Sequence, residues 1–308
     1  MTLQQLEYIL AVNQHRHFGR AAEYCGVTQP TLSAMIQKLE EELGVKLFDR
    51  SAQPICPTHI GERILKQART IILQAEQIQN LVNEEQESIS GTLRLGILPT
   101  IAPYLLPRFY PQFLEQHPQL DVRVSEMKTK EIEQTLEDGE LDAAIIATLP
   151  SAVHLTGETL FFEEFYAYVS TTSKLFDEKV VRTSDLQNEK LWLLDEGHCF
   201  RDQLLKFCHL QQALSSREAY RLGSMETFMR MVESGQGVTF IPQMALAQLN
   251  TCQQELVRPF AIPRPTRQII LVTKKDFVRH KLLELLKEAI VKTIDKNMLS
   301  LQQSQYLV

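Results

Sequence analysis

The sequence predicts an α/β protein whose amino-terminal part is all-α with a wing. Helical periodicity and turn-forming residues occupy residues 1–60, one long amphipathic helix follows, and from residue 89 short apolar runs alternate with helical segments. Strands that alternate with helices are typical of a parallel sheet covered by helices. A chain of 308 residues has room for two or three domains. We therefore expect a helical head, a connecting helix and a larger α/β domain.

Composition and charge exclude several classes of protein. With 44% hydrophobic and 23% charged residues, the chain is typical of soluble globular proteins. No apolar run approaches the ~20 residues that span a bilayer, and the first residues lack the pattern of a signal peptide. The net charge of −6 does not by itself indicate nucleic-acid binding, so a DNA-binding prediction needs a motif. We expect a cytoplasmic protein without membrane contact.

The five cysteines are scattered along the chain and show no Cys-x2-Cys spacing. Such a set indicates a reducing compartment, in which a disulfide is transient and redox-sensing rather than structural. Neither a metal nor a cofactor is predicted. Packing is the expected role of Cys25, and neither Cys56 nor Cys252 has a partner pattern. The other two are Cys199 and Cys208.

Three short helices are predicted at the amino terminus. The second begins at Phe18 and ends at Gly26; the third is capped by Thr28, carries Pro30 in its first turn and ends at Gly44. Two short helices about a glycine-containing turn form a helix-turn-helix, and neutral polar side chains on the latter helix can read base edges in the major groove. A small helical bundle with a solvated polar face is the alternative. The predicted DNA contacts are Gln29, Pro30, Thr31, Ser33, Gln37, Lys38 and, further along, Gln53.

A wing and a long helix follow. Two short extended runs flank a turn at Gln53-Pro54 and predict the wing. Residues 61–86 predict a helix of ~39 Å whose apolar positions alternate by four and three, as in a heptad seam. A lone helix cannot cover such a stripe, so we expect it to pair with a second copy in a homodimer. A polar hinge is expected at residues 84–90. The seam consists of Ile64, Ala68, Ile71, Ala75, Ile78 and Val82.

From residue 89 the pattern alternates strands with helices, which implies a parallel sheet. Strands are expected at residues 93–97, 120–124, 141–147, 161–170, 191–194, 219–222, 238–241 and 268–273. Helices are expected at residues 101–117, 131–138, 226–234 and 277–292, with one more beginning after residue 200.

Cys199 and Cys208 lie nine positions apart, at the two ends of that last helix. Nine helical steps separate two Cα atoms by roughly 13 Å, whereas a disulfide needs them within about 7 Å. Either these are two ordinary buried thiols that never pair, or pairing unwinds the helix and makes it a redox switch. A helix start and nearby cations, here His198 and Arg201, favour a lowered pKa for Cys199 and a reactive thiolate. The apolar neighbours of Cys208 suit a resolving thiol.

Four blocks of the amino-terminal part resemble the LysR-type transcriptional regulators. They are FGRAA at 18–22, TQPTLS at 28–33, LEEELG at 39–44 and LFDR at 47–50. Further blocks resemble the peroxide-sensing members of that family: PT at 99–100, GHC at 197–199, RDQ at 201–203, FC at 207–208 and SMET at 224–227. The resemblance covers the whole chain. It implies a winged helix-turn-helix in residues 1–60, a dimerisation helix and hinge in 61–88, and a redox-sensing effector domain in 89–308.

The resemblance also implies the fold and partners of that effector domain. Two α/β lobes joined by two crossovers are expected, as in periplasmic binding proteins, with lobe I at about 89–162 and 268–296 and lobe II at about 163–267. The implied partners are double-stranded promoter DNA, further copies of the chain in homodimers and homotetramers, RNA polymerase, and a glutaredoxin- or thioredoxin-type reductant. The implied function is regulation of oxidative-stress genes rather than catalysis.

The DNA-binding head departs from the family pattern. Its recognition helix has Ala34 where many members carry a basic residue, and its wing at residues 51–56 lacks the usual arginines. Residues 1–60 carry five basic and six acidic side chains. Because phosphate contacts supply most nonspecific affinity for DNA, we expect weak nonspecific binding and a stronger dependence on dimer or tetramer geometry.

The resemblance assigns a site where carboxyl ends of strands converge, the usual place for ligands in such sheets. There Thr100, Thr129 and His198 would hold hydrogen peroxide against the Cys199 sulfur. The resulting sulfenic acid would condense with Cys208 to a disulfide.

Three charged residues complete the implied site. Arg201 and Arg267 would stabilise the Cys199 thiolate, and Asp202 would orient one of the two arginines. Other roles stay open: the two threonines suit helix caps, and arginines commonly form weak surface pairs.

Two other functions fit the same sequence. The effector pocket of a LysR-type regulator can bind a small organic acid, with the cysteines incidental. A thiol peroxidase would use the same two thiols for turnover, but a DNA-reading head and a dimerising helix would then have no role.

Overall fold

The computed structural model describes residues 1–85, 89–150, 152–194, 199–208 and 224–308. The chain forms two compact units, Met1–Ser88 and Ile89–Val308. Within the described ranges no helix is long and apolar enough to cross a membrane. The same ranges contain no group of three or more His, Cys, Asp or Glu side chains arranged to hold a metal ion.

The first unit begins with the three predicted helices, α1 (Leu3–His15), α2 (Phe18–Tyr24) and α3 (Gln29–Leu43). The predicted ends of α3 are confirmed: the Thr28 hydroxyl accepts the Thr31 amide, and Gly44 closes the helix with a φ of 69°. A left-handed residue at this position favours glycine, which has no Cβ to clash. The helices enclose a core of aliphatic side chains, among them Ile9, Leu32 and Ile36.

The predicted wing is also present. Strands β1 (Phe48–Asp49) and β2 (Cys56–Pro57) pair antiparallel on either side of the expected turn. Glu40 of α3, which is only 2% exposed, connects the wing to this helix through a hydrogen bond and two ion pairs. This carboxylate accepts the Leu47 amide at 2.8 Å and forms ion pairs with Lys46 at 3.1 Å and Arg50 at 3.2 Å.

The connecting helix α4 runs from His59 to Glu85. Its first half packs against the core of the helical head, where Leu65 and Ala68 are buried. Its second half leaves an apolar stripe uncovered, since Ile78 is 66% exposed, Leu81 53% and Val82 43%.

The described strands of the second unit form one sheet. They are β3 (Gly91–Ile97), β4 (Leu120–Glu126), β5 (Ala143–Ile146), β6 (Leu155–Val169), β7 (Val238–Pro242), β8 (Val257–Pro259), β9 (Arg264–Lys274) and β10 (Gln305–Leu307). The order is β4-β3-β5-β9-β6-β7, with β10 beside β9 and β8 beside β6.

The expected parallel sheet is correct for one half and wrong for the other. Strand β3 pairs parallel with β4 and β5. Strand β9 is antiparallel to β5 and to β6, and β6 is antiparallel to β7 and β8. The reason is that β6 and β9 are long strands that carry the chain out of the first half of the sheet and back again, so they run in opposite directions.

The described α-helices of this unit are α5 (Ala102–Gln116), α6 (Thr129–Glu137), α7 (Cys199–Phe207), α8 (Met225–Glu233), α9 (Thr251–Gln254) and α10 (His280–Val291). All but one lie close to their predicted positions; the short α9 was not predicted. The strand expected at 191–194 is wrong: only Leu191 forms a bridge, to Val238. Beyond it the Thr239 hydroxyl donates to the Trp192 carbonyl at 2.8 Å, so a side chain takes up the pairing that a strand amide would make. The strand expected at 219–222 and much of the expected hinge lie outside the described residues.

Two apolar clusters fill the second unit. One gathers β3, β4, β5, α5, α10 and the Phe161 end of β6. The other begins at Phe165 on β6 and gathers β7, α8 and most of α7. On the returning chain the boundary falls between Phe260, which precedes β9, and Ile269 within β9. Strand β6 therefore passes through both clusters, and we call the two halves lobe I and lobe II.

Candidate functional site

Helix α7 carries a free cysteine at each end. Cys199 is its first residue, and Cys208 follows its last, donating its amide to the Leu204 carbonyl at 2.9 Å. The predicted helix is confirmed. Because nine helical steps span roughly 13 Å, the two sulfurs cannot join while α7 is intact.

The two thiols are buried in different apolar clusters. Cys199 is 9% exposed and belongs to the lobe I cluster, whereas Cys208 is 1% exposed and belongs to the lobe II cluster. A disulfide between them therefore requires that at least one thiol leave its cluster as α7 unwinds.

The environment of Cys199 both opposes and supports ionisation. Burial raises the pKa of this thiol above its ordinary value and is the largest effect. The nearby Thr129 hydroxyl, the charge of Arg267 and the Phe200 amide lower the pKa, and Asp202 raises it further. The expected lowered pKa is therefore wrong in its net direction, since enclosure outweighs the helix start and the cation.

Cys208 has no such opposing effects. Burial raises the pKa of its thiol to about 12. At neutral pH the folded chain therefore keeps this thiol protonated, and a thiolate forms only when the segment opens to water.

Arg267 on β9 is held by Glu163 and Thr100. Its Nε donates to Glu163 at 2.9 Å, and Nη2 lies 2.7 Å from the same carboxylate oxygen. Nη1 donates to the Thr100 hydroxyl at 2.9 Å, and Nη2 to the Thr100 carbonyl at 3.0 Å. Glu163, not Asp202, therefore holds the Arg267 guanidinium. Asp202 is exposed and its charge raises the pKa of Cys199, so it does not stabilise the thiolate. That Asp202 orients Arg201 stays a prediction.

The guanidinium of Arg267 is also enclosed by aromatic rings. Its centre lies 5.0 Å from the ring of Phe200 and 5.8 Å from that of Phe165. Since Phe200 follows Cys199 directly in α7, this cation–π contact ties the start of the helix to β9.

The alternative role of the two threonines as helix caps does not hold. Helix α5 has Ile101 at its cap with no side-chain hydrogen bond, and α6 has Lys128 there, again with none. The Thr100 hydroxyl instead accepts from Arg267. The Thr129 hydroxyl is buried and makes no well-formed hydrogen bond among the described residues, although it lies close enough to Cys199 to lower the pKa of the thiol.

Two residues of the site were missed in the sequence. Glu163 could have been found as a charge within the apolar run of β6, because a buried charge needs a partner. Gln203 lies one helical turn after Cys199, on the same face of α7. Its Nε2 donates to the carbonyls of Ala147 at 2.8 Å and Val308 at 3.3 Å, while its buried Oε1 has no partner among the described residues.

The remaining predicted site residues lie elsewhere. Arg201 is half-buried and lines a cavity of lobe II together with Trp192 and Phe228. It is not among the groups that shift the pKa of Cys199. His198 lies outside the described residues.

The predicted DNA-contacting residues are accessible on the head. Gln29, Pro30, Thr31, Gln37, Lys38 and Gln53 are exposed, and Ser33 is half-buried. Ser33 accepts a hydrogen bond of 3.5 Å from Arg50. Gln37 is engaged by Glu41 at 3.0 Å, a contact that a base edge would have to displace.

Comparison with known proteins places both units in one family. Residues 3–62 match the bacterial regulatory helix-turn-helix protein, lysR family, and residues 86–295 match the LysR substrate binding domain. A hydrogen peroxide-inducible genes activator of Dickeya chrysanthemi is 36% identical over 272 residues, 88% of this chain and 89% of that protein.

Solved structures of similar sequence agree. The crystal structure of OxyR from Porphyromonas gingivalis is 47% identical with a TM-score of 0.67, covering 71% of this chain and 99% of that one. A full-length OxyR variant from Pseudomonas aeruginosa is 36% identical with a TM-score of 0.77, covering 94% of this chain and 98% of that one.

Proposed function

This chain belongs to the LysR family of bacterial transcription regulators, and we propose that it senses hydrogen peroxide through Cys199 and regulates oxidative-stress genes. One observation carries the proposal: two free, buried thiols lie at opposite ends of one helix and in separate apolar clusters. The names of its relatives, a hydrogen peroxide-inducible genes activator and OxyR, support the same stimulus. Such a regulator acts on DNA in the cytoplasm.

The first step of the proposed chemistry oxidises Cys199. Its thiolate attacks one oxygen of hydrogen peroxide, so that an S–O bond forms and the O–O bond breaks. The departing hydroxide takes up the proton that the thiol released and leaves as water. Sulfur loses two electrons and becomes a sulfenic acid, and peroxide is reduced.

The residues around the sulfur suit a small polar oxidant. The Thr129 hydroxyl and the Gln203 carbonyl oxygen are buried without well-formed partners, so peroxide can satisfy both. Thr100 acts through Arg267, whose charge stabilises the thiolate. His198 is adjacent in sequence to Cys199 and is assigned a peroxide contact by family resemblance alone.

The second step forms the disulfide. Once α7 unwinds, the Cys208 thiol ionises in water and attacks the Cys199 sulfur. The S–S bond forms, the S–O bond breaks, and hydroxide leaves as water after taking a proton. A dithiol of the glutaredoxin or thioredoxin type returns both cysteines to thiols by exchange.

The proposed conformational switch depends on the contacts that α7 makes in the reduced protein. Its unwinding breaks the Gln203 bonds to Ala147 and Val308 and removes Phe200 from Arg267. Lobe II then repacks, the geometry of the dimer or tetramer changes, and the recognition helices meet promoter DNA and RNA polymerase with a different spacing. In this scheme the exposed stripe on α4 makes the homodimer contact.

The two other functions receive less support. A small organic acid would need an available cation in the site, but the Arg267 charge is already paired with Glu163. A thiol peroxidase would need a resolving thiol ready for repeated turnover, whereas burial raises the pKa of Cys208 to about 12.

Peptide mapping under non-reducing conditions tests the proposal. Near-stoichiometric hydrogen peroxide is added to anaerobically reduced protein, with Cys199→Ser and Cys208→Ser as parallel samples. We expect a Cys199–Cys208 disulfide in the natural chain, a trapped sulfenic acid at Cys199 in the Cys208 variant, and no reaction at Cys208 in the Cys199 variant. Unmodified thiols throughout would refute the proposal and direct attention to a small-molecule inducer.

A further inference from the structure

Glu163 and Arg267 form a charge pair that is almost completely enclosed. The Arg267 side chain is 1% exposed and that of Glu163 is 2% exposed. One carboxylate oxygen of Glu163 contacts Arg267, and the other accepts the Met244 amide at 2.9 Å. The carboxylate is therefore fixed from two sides, by the cation and by backbone.

The donors of Arg267 are nearly all committed. A guanidinium has five N–H groups. Glu163 and Thr100 engage four of them, which leaves one on Nη1 without a partner among the described residues. With Phe200 and Phe165 beside the guanidinium, its orientation is determined by the carboxylate, the threonine and the rings.

We propose that Glu163 is a positioning residue, which fixes the Arg267 guanidinium and sets how much of its positive charge reaches the Cys199 sulfur. A carboxylate 2.7 Å from a guanidinium makes the two a dipole, whose field at a distance is weaker than that of a lone cation. Cys199 is thereby less ionised than Arg267 alone would make it. The biological meaning of this restraint depends on the proposed peroxide chemistry, but its physical basis does not.

The charges that face Cys199 come from three elements. Arg267 on β9 lowers the pKa of the thiol, and Asp202 on α7 raises it, while Glu163 on β6 is paired with the arginine. Neutralising Glu163 should therefore expose the sulfur to the full charge of Arg267.

A matched pair of variants in the full-length chain tests the inference. Glu163→Gln keeps the size and an acceptor but removes the charge. The control is Glu164→Gln, since the neighbouring Glu164 is also buried in β6 and pairs with another arginine, Arg264, at 3.3 Å. Both are made with Cys208→Ser, and the ultraviolet absorbance of the thiolate is titrated against pH after subtracting the same titration of Cys199→Ser.

We expect Glu163→Gln to lower the titration midpoint by about one pH unit, the low end of the effect of a neighbouring charge. The rate of sulfenic acid formation near neutral pH should rise severalfold, because the thiolate fraction rises about tenfold while each thiolate becomes a somewhat weaker nucleophile. Glu164→Gln should superimpose on its parent. An unchanged midpoint in Glu163→Gln, or an equal shift in Glu164→Gln, would overturn the inference.

A further variant keeps the test decisive if Glu163→Gln folds poorly. Glu163→Asp retains the charge but moves it by one methylene. It should keep the midpoint and slow the peroxide reaction severalfold; an unaltered rate would exclude positioning. A parent chain that never reacts with peroxide would refute the proposed function while leaving the titration valid.

Discussion

Packing and reactivity make opposite demands on the Cys199 thiol. Burial raises its pKa, while Arg267 and the Thr129 hydroxyl lower it. The balance favours a protonated thiol in the resting protein, which protects it from slow oxidation. The fraction of Cys199 that is thiolate therefore depends on the polar groups near its sulfur. The same groups are suited to bind hydrogen peroxide.

Cys208 should make the stability of the reduced protein depend on pH. Its pKa is 9.0 in an ordinary setting and is raised to about 12 in the folded chain. The unfolded chain loses this proton first, so the contribution is complete below about pH 9 and is lost as pH rises toward about 12. From this thiol alone we expect a loss of about 1.4 kcal/mol per pH unit above about pH 9. Urea unfolding of the reduced chain at several pH values measures it.

Cys208→Ala should remove that part of the slope, and Cys252→Ala, at an exposed cysteine, should not. The half-buried tyrosines Tyr104 and Tyr166, with pKa values raised to about 12, add a slope that is common to both variants. Equal slopes in the two variants would contradict the assignment to Cys208.

A residue's role could be predicted from the sequence alone when that role depends on nearby positions in the chain. Cys199 and Cys208 were visible from spacing, and Arg267, Thr100 and Thr129 only through resemblance to a family. The pKa direction of Cys199 could not be predicted, because enclosure depends on chain segments far away in sequence. The partner of Arg267 could not be predicted for the same reason: Glu163 is 104 positions from Arg267 and meets it only through the pairing of β6 with β9.

At the scale of elements, α7 is short and must be lost for the disulfide to form. Its helical stability therefore sets part of the redox equilibrium. Lys206 is exposed in the last turn, so Lys206→Gly removes no packing but costs the helix about 1 kcal/mol. The oxidised form, in which α7 is unwound, is not destabilised by this substitution. We expect the dithiol–disulfide equilibrium in a glutathione buffer to shift about fivefold toward the disulfide.

Glu284→Gly provides the control for this prediction. Glu284 is exposed within α10, which carries neither cysteine. Glu284→Gly should lower the free energy of unfolding by a similar amount and leave the dithiol–disulfide equilibrium unchanged. A shift of equal size in both variants would mean that general destabilisation, rather than the helicity of α7, governs the disulfide.

The elements themselves differed in how predictable they were. Helix α3 was predictable at both ends because Thr28 and Gly44 act on their own backbone neighbours. The antiparallel pairing of β6 with β9 was not, since periodicity reports burial but not strand direction. The bridge at Leu191 was mistaken for a strand because an apolar run looks the same whether one residue or four pair with a neighbour.

At the scale of the whole molecule, the uncovered stripe on α4 predicts a dimer. Ile78 is 66% exposed in the single chain and lies in the heptad seam. Ile78→Asp should raise the dimer dissociation constant about a thousandfold, because a symmetric dimer loses roughly 2 kcal/mol of apolar burial from each copy. Light scattering across a dilution series measures the change, and operator affinity should fall with it.

Thr70→Asp introduces the same charge on the same helix at an exposed position outside the seam. It should leave the dimer intact. Dissociation by both substitutions, or by neither, would show that this stripe is not the contact.

The burial of Cys199 also restricts which oxidants can reach its sulfur. Because Cys199 is only 9% exposed and the Thr129 hydroxyl lies beside its sulfur, a molecule of two oxygen atoms can reach that sulfur far more easily than a branched hydroperoxide can. Burial then costs reactivity but gains selectivity among oxidants of similar chemical strength. The same packing that slows the thiol would let the cell distinguish hydrogen peroxide from bulkier lipid-derived peroxides, a distinction that an exposed cysteine could not make.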